Sequence, residues 1–426
     1  MHLDEHKIQQ NGLNIRIIKT EKFKTNQFVF KFKSLLSKDN VTARALLPYV
    51  LQSSTAKWPT TALFRSHLDD LYGASASVDV NKKGEYHILT FAVDVPNEKY
   101  LQDKTPLTEK ALEVLNEMIF NPLVENGIFS EKVTEAEKRT LKQKLKAVKD
   151  DKMRYASQRL VEEMCGDEAY ALHPNGIESE LEHVKPESLF ETYQQMIHHD
   201  EVDLYVVGDV DIAQIETLCK EKFSLANRKN IYADHHLVHV DESKKVVEKQ
   251  QIKQGKLNIG YRSQTVYGDA DYLPMAVMNG ILGGFPHSKL FINVREKESL
   301  AYYAASRLES HKGLIVIMSG VDPGKIDKAE EIIEQQLEAI RNGDISDQEL
   351  SQTKAVMTNQ MLETLDSPRG IVEVLYQGET AGIPVHINEW FKGIEEVTKD
   401  HVIKAANKLV KDTTYVLTAR EVAESA

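Results

Sequence analysis

The sequence opens with residues whose types and spacing could bind a metal. His2, Glu5 and His6 stand in the order H-x-x-E-H. On a helix, two imidazoles four residues apart lie on one face and can share a zinc ion. The glutamate beside the second histidine could then act as general base on a metal-bound water. The chemistry that this pattern indicates is metal-assisted hydrolysis.

The sequence around this motif does not favour the helix that it needs. Residues 1–12 contain no apolar stripe that could dock a helix, and Asn11-Gly12 would end one at once. Metal ligands must be held rigidly by neighbouring groups, whereas free chain ends fray. We therefore interpret residues 1–12 as a flexible N-terminal tail and the motif as a chance match.

Composition restricts the class of protein. The chain has 426 residues, 41% of them hydrophobic and 28% charged, which is typical of a soluble globular protein with two or more domains. The net charge of -12 argues against nucleic acid or an anionic membrane as partner. Two cysteines, Cys165 and Cys219, are too few for a disulfide framework. Because no signal peptide or long apolar run is present, we expect a cytoplasmic protein.

One pattern occurs twice along the chain. The matched features follow the same order in both halves: a strand candidate (27–33 and 256–261), an apolar helical run (from Leu46 and from Leu273), a gapless match (Leu71–Gly84 and Leu300–Gly313) and an Asn-Gly turn (126–127 and 342–343). The pattern predicts an α+β fold of two homologous units, each a mainly antiparallel sheet with helices packed on one side. We expect these units at 13–226 and 255–426, with a linker and the start of the second unit at 227–254.

The segment VMNGILGGFPHSKLFINVREKESLAYYAASRLESHKG, together with the duplication, resembles the insulinase/pitrilysin (M16) peptidase family. The resemblance covers essentially the whole chain and is closest to bacterial processing-peptidase-like members. It implies that an active member would carry H-x-x-E-H on the first long helix of the first unit. It also implies a third zinc ligand, a glutamate, on a later helix.

This chain departs from the family at those positions. The resemblance places the motif on Ala45, Leu46, Leu47, Pro48 and Tyr49, so both histidines and the glutamate are missing. The distal position, seven residues after Glu137, is Lys144, and a charged ammonium has no lone pair for a metal. The resemblance therefore implies a degenerate site at Ala45, Pro48, Tyr49 and Lys144. It implies no metal or cofactor in this chain, and zinc only in a partner subunit.

A second feature of the family is retained. Arg295 and Tyr302 keep the R-x6-Y spacing of the second unit. The resemblance implies that the arginine binds substrate backbone carbonyls and that the tyrosine stabilises the tetrahedral oxyanion in the zinc site of the opposite half. A charged fork and a phenolic donor suit that task. The spacing alone favours a surface ion pair for Arg295 and a half-buried strand position for Tyr302, and it is the surrounding pattern LGG-x4-KLF-x3-REKESLAYY that favours the family role.

Three further segments carry expectations. The resemblance assigns Gly73–Val80 to the strand whose edge pairs with extended peptides. Gly283-Gly284 is expected to be a short turn that ends a helix. The histidines at 235, 236 and 239, with Asp234 and Asp241, are expected to form a solvated cluster in the linker.

Two functions remain open from the sequence. In the first, the chain is a non-catalytic M16 subunit that pairs with a zinc-bearing homologue as a heterodimer, or with itself as a homodimer, and donates Arg295 and Tyr302 to a chamber for unfolded peptides. In the second, it is a pseudopeptidase that binds a peptide or supports a complex without a role in chemistry. An enzyme that uses His2, Glu5 and His6 is disfavoured by the position of the motif.

Overall fold

The computed structural model describes residues 3–10, 12–103, 105–228, 230–233 and 238–420. The chain forms two compact units. Unit 1 comprises Met1–Lys146, Leu172–Asp234 and Leu365–Tyr376, and unit 2 comprises Ala147–Ala171, His235–Thr364 and Gln377–Ala426. In the described ranges, no helix is both long and apolar enough to cross a bilayer.

The secondary structure is mixed throughout. The strands are β1 (Asp4–Gln10), β2 (Leu13–Lys19), β3 (Thr25–Leu35), β4 (Ser75–Lys83), β5 (Tyr86–Pro96), β6 (Val124–Glu125), β7 (Ile128–Phe129), β8 (Glu201–Gly208), β9 (Lys244–Gln250), β10 (Gly255–Arg262), β11 (Ala301–Glu309), β12 (Leu314–Val321) and β13 (Val410–Ala419). The helices are α1 (Val41–Ser53), α2 (Thr61–Asp70), α3 (Leu107–Phe120), α4 (Glu131–Asp150), α5 (Lys152–Met164), α6 (Glu178–Leu181), α7 (Pro186–His199), α8 (Ile212–Lys222), α9 (Tyr272–Asn279), α10 (Ile326–Arg341), α11 (Asp347–Thr364), α12 (Pro368–Ala381), α13 (Ile387–Glu396) and α14 (Lys399–Asn407). Two π-helical segments, Gly280–Gly284 and Leu290–Lys297, follow α9.

The two main sheets have the same topology, which confirms the predicted duplication and α+β class. The strand order is β1-β2-β8-β3-β5-β4 in unit 1 and β9-β13-β10-β12-β11 in unit 2. In each sheet one pair is parallel, β2 with β8 and β9 with β13, and the other pairs are antiparallel. Five strands therefore correspond one to one, and β1 is the additional strand of unit 1.

Strand alternation separates the two faces of the unit 1 sheet. Phe28, Phe30 and Phe32 of β3 point to one face and are fully buried in a core shared with the helices. Lys31 and Lys33 point to the opposite face and are also buried. This second face is therefore a charged surface that other groups must cover.

Each sheet is covered on that second face by a helix from the other half of the sequence. In unit 1, Glu373 of α12 bonds the Nζ of Lys31 over 2.5 Å. In unit 2, Ala156 and Leu160 of α5 pack against strand residues that include Tyr415. The helices α5 and α12 occupy equivalent places in the duplication, each directly after a long helix. The units therefore do not follow the expected boundaries at 13–226 and 255–426, because each contains one segment of the other half.

Two polar segments that we expected outside the units are strands. Residues 4–10, which we placed in a flexible tail, form β1, paired with β2 across the turn at Gly12, where φ is 68°. Residues 244–250, which we placed in the linker, form β9, paired in parallel with β13. Their backbone hydrogen bonds to a neighbouring strand, rather than an apolar face of their own, hold them in the sheets.

A buried ion pair fixes α1 in unit 1. The guanidinium of Arg44 donates two hydrogen bonds to the carboxylate of Asp200, over 3.0 and 2.6 Å, and both side chains are buried. Desolvation raises the pKa of Asp200, and the charge of Arg44 opposes that rise. Each charge is therefore tolerated only because the other is present.

Arg44→Ala should lower the free energy of unfolding of unit 1 by about 3–5 kcal/mol, because it leaves a buried carboxylate without its partner. Trp58 lies in the core of unit 1 and Trp390 in unit 2. Urea unfolding followed by the fluorescence of Trp58, in a Trp390→Phe background, reports on unit 1. The exposed Arg65 of α2 provides the control, since Arg65→Ala should change stability by less than about 0.5 kcal/mol. Equal effects of the two substitutions would contradict the role of the pair.

Candidate functional site

The helix α1 carries the positions on which the family resemblance places the zinc motif. Ala45 and Pro48 are buried, and Tyr49 is half-buried. Pro48 lies inside the helix and has no N–H, so the carbonyl of Arg44 loses its usual helical donor. At the place of the catalytic glutamate there is thus an aliphatic ring inside the fold.

The residue at the expected position of the third zinc ligand, Lys144, contacts this helix. Lys144, on α4, donates from Nζ to the hydroxyl oxygen of Tyr49 over 2.6 Å. The same ammonium lies 5.3 Å from the centroid of the Tyr49 ring, within reach of a cation–π interaction. The two residues are 95 positions apart in sequence. The hydrogen bond therefore joins α1 to α4 across a long stretch of sequence.

These side chains do not fit a zinc ion. Ala45 has no donor atom, and Lys144 is a charged ammonium that would repel a cation. The remaining oxygen, on Tyr49, already accepts the hydrogen bond of Lys144. The arrangement therefore cannot generate a metal-bound nucleophile, and it leaves a positive charge in its place.

A buried histidine beside this pair escaped the sequence reasoning. Burial, together with the ammonium charges of Lys82 and Lys144, lowers the pKa of His173 to about 4. Its Nδ1 accepts a hydrogen bond from the backbone N–H of Asn175 over 3.1 Å. The imidazole is therefore neutral near pH 7 and carries its proton on Nε2. The fold brings His173 near Lys144, and no motif in the sequence links the two residues.

Glu137 keeps the acidic side chain of the family on α4. It is half-buried, and burial raises the pKa of its carboxyl group. Seven residues of helix separate Glu137 from Lys144, about 10 Å along the axis. No ion pair joins the carboxylate of Glu137 to the ammonium of Lys144 in the part of the chain that the structure describes.

Arg295 lies on the second π-helical segment of unit 2, and its side chain is exposed. Its guanidinium carbon is 4.5 Å from the centroid of the Phe291 ring. That contact orients the planar guanidinium of Arg295. It leaves the N–H donors in the guanidinium plane unused. Within the described residues, Arg295 has no ion-pair partner, so the surface-pair alternative is not what the structure shows.

Tyr302 is the extra residue of a β-bulge. In the pairing of β11 with β12, Ala301 opposes Val321 and Tyr303 opposes Gly320, so Tyr302 has no opposite residue. Its side chain is 70% exposed. The next ring, Tyr303, packs over Gly320, where a Cβ would lie 2.4 Å from it. The bulge thus turns one of two adjacent tyrosines outward, and the half-buried alternative for Tyr302 does not hold.

The chain between Arg295 and Tyr302 is held by backbone bonds. Leu300 donates to the carbonyl of Val294 over 3.1 Å, and the side chain of Leu300 is buried. These contacts fix the residues next to both side chains. Upstream, Gly280–Gly284 continues α9 and ends at Phe285, where the sequence predicts that the helix stops.

The segment Gly73–Val80 leads into β4, which is the edge strand of the unit 1 sheet. Lys83 and Tyr86 flank a two-residue turn, so alternate residues of β4, among them Ala76 and Val78, turn their backbone groups away from β5. The amide of Gln52, on α1, donates to the carbonyl of Ala76 over 2.9 Å. The edge is thus partly capped by a residue that sequence reasoning did not single out.

The N-terminal H-x-x-E-H does not form a site. Glu5 and His6 are consecutive residues of β1, so their side chains lie on opposite faces of the sheet. Glu5 bonds Arg16 over 2.9 Å, and His6 bonds Asp4 over 3.0 Å. His2 lies outside the described residues. The strand, not a fraying tail, is the reason that the motif cannot grip a metal.

The expected histidine cluster falls largely outside the described residues. Asp234, His235 and His236 are not described. His239 and Asp241 lie 3.3 Å apart, and both side chains are almost fully exposed. Side chains that are so exposed are not oriented by neighbouring groups, as the ligands of a metal site must be.

Comparison with protein families matches residues 183–357 to the family described as "Peptidase M16 inactive domain". The "Probable inactive metalloprotease YmfF" of Bacillus subtilis (strain 168) is 49% identical over 421 residues, which are 99% of this chain and 99% of that protein. A crystal structure of "a conserved protein from Enterococcus faecalis V583" is 32% identical and has a TM-score of 0.93 over 99% of this chain and 100% of that one. The "peptidase M16 inactive domain from Pseudomonas fluorescens" has a TM-score of 0.82 over 100% of both chains, and at 17% identity it is similar in fold alone.

Metal analysis tests whether the residues of α1 and β1 bind zinc. The purified chain should contain no stoichiometric zinc, and added zinc should not raise its melting temperature, because neither α1 nor β1 offers a set of ligands. His6→Ala should leave both measurements unchanged. Zinc that co-purifies in equimolar amount, and that is lost on substitution of His2 or His6, would contradict this interpretation of the N-terminal motif.

Proposed function

The chain belongs to the M16 peptidase family, and we propose that it is a non-catalytic subunit of a two-chain peptidase. It pairs with an H-x-x-E-H homologue that carries the zinc, and the two chains enclose a chamber for unfolded peptides. The observation that carries the proposal is a contrast between the units. The positions expected for the zinc motif in unit 1 hold neither histidine nor glutamate, whereas Arg295 and Tyr302 of unit 2 are exposed and have no hydrogen-bonded side-chain partner among the described residues.

The role proposed for Arg295 is to bind backbone carbonyls of the substrate. A guanidinium presents N–H donors in a rigid fork and remains charged at every relevant pH. The stacking of Arg295 on Phe291 orients that fork while its edge stays exposed. An ordered but unpaired donor loses little side-chain entropy when a carbonyl arrives.

The role proposed for Tyr302 is to donate a hydrogen bond to the oxyanion that forms when a peptide bond is attacked. A phenol aimed at developing charge stabilises the transition state more than the ground state. The bulge supports this role, because bulges re-aim side chains and are held by the ladder on both sides. The attacking water belongs to the partner's metal, and this chain contributes only the two donors.

The partner and the compartment follow from the same premise. A chain that lacks zinc ligands needs a zinc-bearing homologue, as a heterodimer, for the donated pair to act on a substrate. A homodimer would bring together two degenerate sites and no metal. The acidic net charge of -12 makes nucleic acid an unsuitable ligand. Both cysteines are free and buried, which fits a reducing cytoplasm.

Tyr302→Phe should lower the kcat of the reconstituted two-chain peptidase by a factor of about 100 to 1,000, with little change in KM, because a donor used only in the transition state is lost. The measurement is peptide cleavage by this chain after co-purification with an H-x-x-E-H homologue. Arg295→Met should instead act mainly through KM, because it removes binding to the substrate backbone.

Tyr303→Phe is the matched control. It removes the same hydroxyl from the neighbouring residue, whose hydroxyl oxygen is buried without a partner, and should leave kcat unchanged. If Tyr302→Phe also cleaves at the wild-type rate, the pair is not donated. The chain would then act as a pseudopeptidase that binds peptides or supports a complex.

A further inference from the structure

Lys144 differs from the other paired lysines of α4. Lys138 lies 2.8 Å from the carboxylate of Glu135, and Lys142 lies 2.6 Å from that of Glu182. Lys144 bonds the neutral hydroxyl of Tyr49, and it has no ion-pair partner in the part of the chain that the structure describes. Its positive charge is therefore held in one place without being neutralised.

The groups around Lys144 can all donate to an anion. The oxygen of Tyr49 accepts from the ammonium, so its own O–H remains available as a donor. The ammonium keeps further N–H donors that the bond to Tyr49 does not use. A second ammonium, on Lys82, is near enough to act on the same imidazole, His173. The pair Lys144 and Tyr49 thus has the chemistry of a carboxylate receptor.

This receptor lies next to the free edge of β4. Tyr49 and Gln52 are three residues apart on α1 and therefore neighbours on one helix face, with their Cβ atoms about 5–6 Å apart. Gln52 reaches β4, because its amide donates to the carbonyl of Ala76 over 2.9 Å. The distance from the ammonium of Lys144 to the edge strand is thus spanned by two adjacent side chains of one helix.

The edge of β4 has backbone groups left for one more strand. Of the residues that turn away from β5, Ala76 has its carbonyl capped by Gln52. The N–H of Val80 donates to the carboxylate of Asp79 over 3.0 Å. Val78 lies between them and is free of both caps. An extended segment can therefore pair there over a short length.

We propose that unit 1 binds the free C-terminal carboxylate of an extended peptide, with the carboxylate on Lys144 and Tyr49 and the main chain against β4 at Val78. The site takes an anion at the positions that correspond to zinc ligands. One observation selects an extended peptide over a free small anion: a strand edge lies beside the charged pair, because Gln52 of the same helix reaches β4. This goes beyond the proposed role of Arg295 and Tyr302, which belong to unit 2.

The experiment measures binding by fluorescence anisotropy with the full chain alone. The probe is a short, N-terminally labelled peptide of alternating threonine and valine, made once with a free C-terminal carboxylate and once with a C-terminal amide. The acid should bind about tenfold more tightly than the amide, because a charge-assisted hydrogen bond is lost in the amide. Lys144→Met should abolish that difference, and Tyr49→Phe should reduce it.

Lys146→Met is the control for the charge of the helix. Lys146 is an exposed residue two positions further along α4, and its loss should keep the acid-to-amide ratio at the wild-type value.

Acetate should displace the acid probe only at far higher concentration than the unlabelled acid peptide. Displacement by acetate and peptide at equal concentration would show a site for any small anion and overturn the peptide assignment.

Three further outcomes would overturn the proposal: equal affinity for acid and amide, no binding of either probe, or the same loss of the ratio in Lys146→Met. The assay contains no partner subunit, and substitutions at Arg295 and Tyr302 should not affect it. Failure here therefore leaves the two-chain proposal standing, and failure of the cleavage test leaves this one standing.

Discussion

The sheet of unit 1 depends on the burial of charged side chains on the face opposite its core. Because β3 alternates phenylalanine with lysine, Lys31 and Lys33 lie on the face opposite Phe30 and Phe32, and on that face they are buried as well. Carboxylates must reach them, from Glu373 for Lys31 over 2.5 Å and from Glu201 for Lys33 over 3.0 Å. Burial still lowers the pKa of Lys31, and Glu373 opposes that shift. Breaking either pair would leave an unpaired charge inside the fold.

That constraint explains why neither unit is a continuous piece of sequence. Lys31 and Glu373 are 342 positions apart, so the first sheet is complete only when α12 has been made. In unit 2 the equivalent helix, α5, covers the sheet with apolar residues instead, since Ala156 and Leu160 meet Tyr415 and Leu417. The two copies thus share one architecture, but the covering helix contacts the sheet through an ion pair in unit 1 and through apolar side chains in unit 2.

Sequence reasoning was sufficient where the signal is local or repeated. The duplication and the α+β class could be predicted, because hairpin turns and apolar periodicity are properties of short segments. The strands β1 and β9 could not, since DEHKIQQ and KKVVEKQ obtain their stability from a neighbouring backbone. The amphipathic pattern of α5 and α12 shows that one face is buried, but not against which sheet. The bulge at Tyr302 and the contacts of Gln52 and His173 depend on the three-dimensional fold, and no spacing of residues in the sequence predicts them.

The two edge strands β4 and β11 occupy equivalent places in their sheets, and their edges are interrupted in different ways. In β11 the bulge at Tyr302 interrupts the regular ladder, which disfavours pairing with another strand and offers a side chain instead. In β4 the ladder stays regular, and Gln52 and Asp79 occupy single backbone groups on either side of Val78. A regular edge recognises main chain, whereas a bulged edge recognises whatever its outward side chain can bond. The two edges of the duplicated fold therefore differ in what they offer a ligand: backbone groups on β4 and one outward side chain on β11.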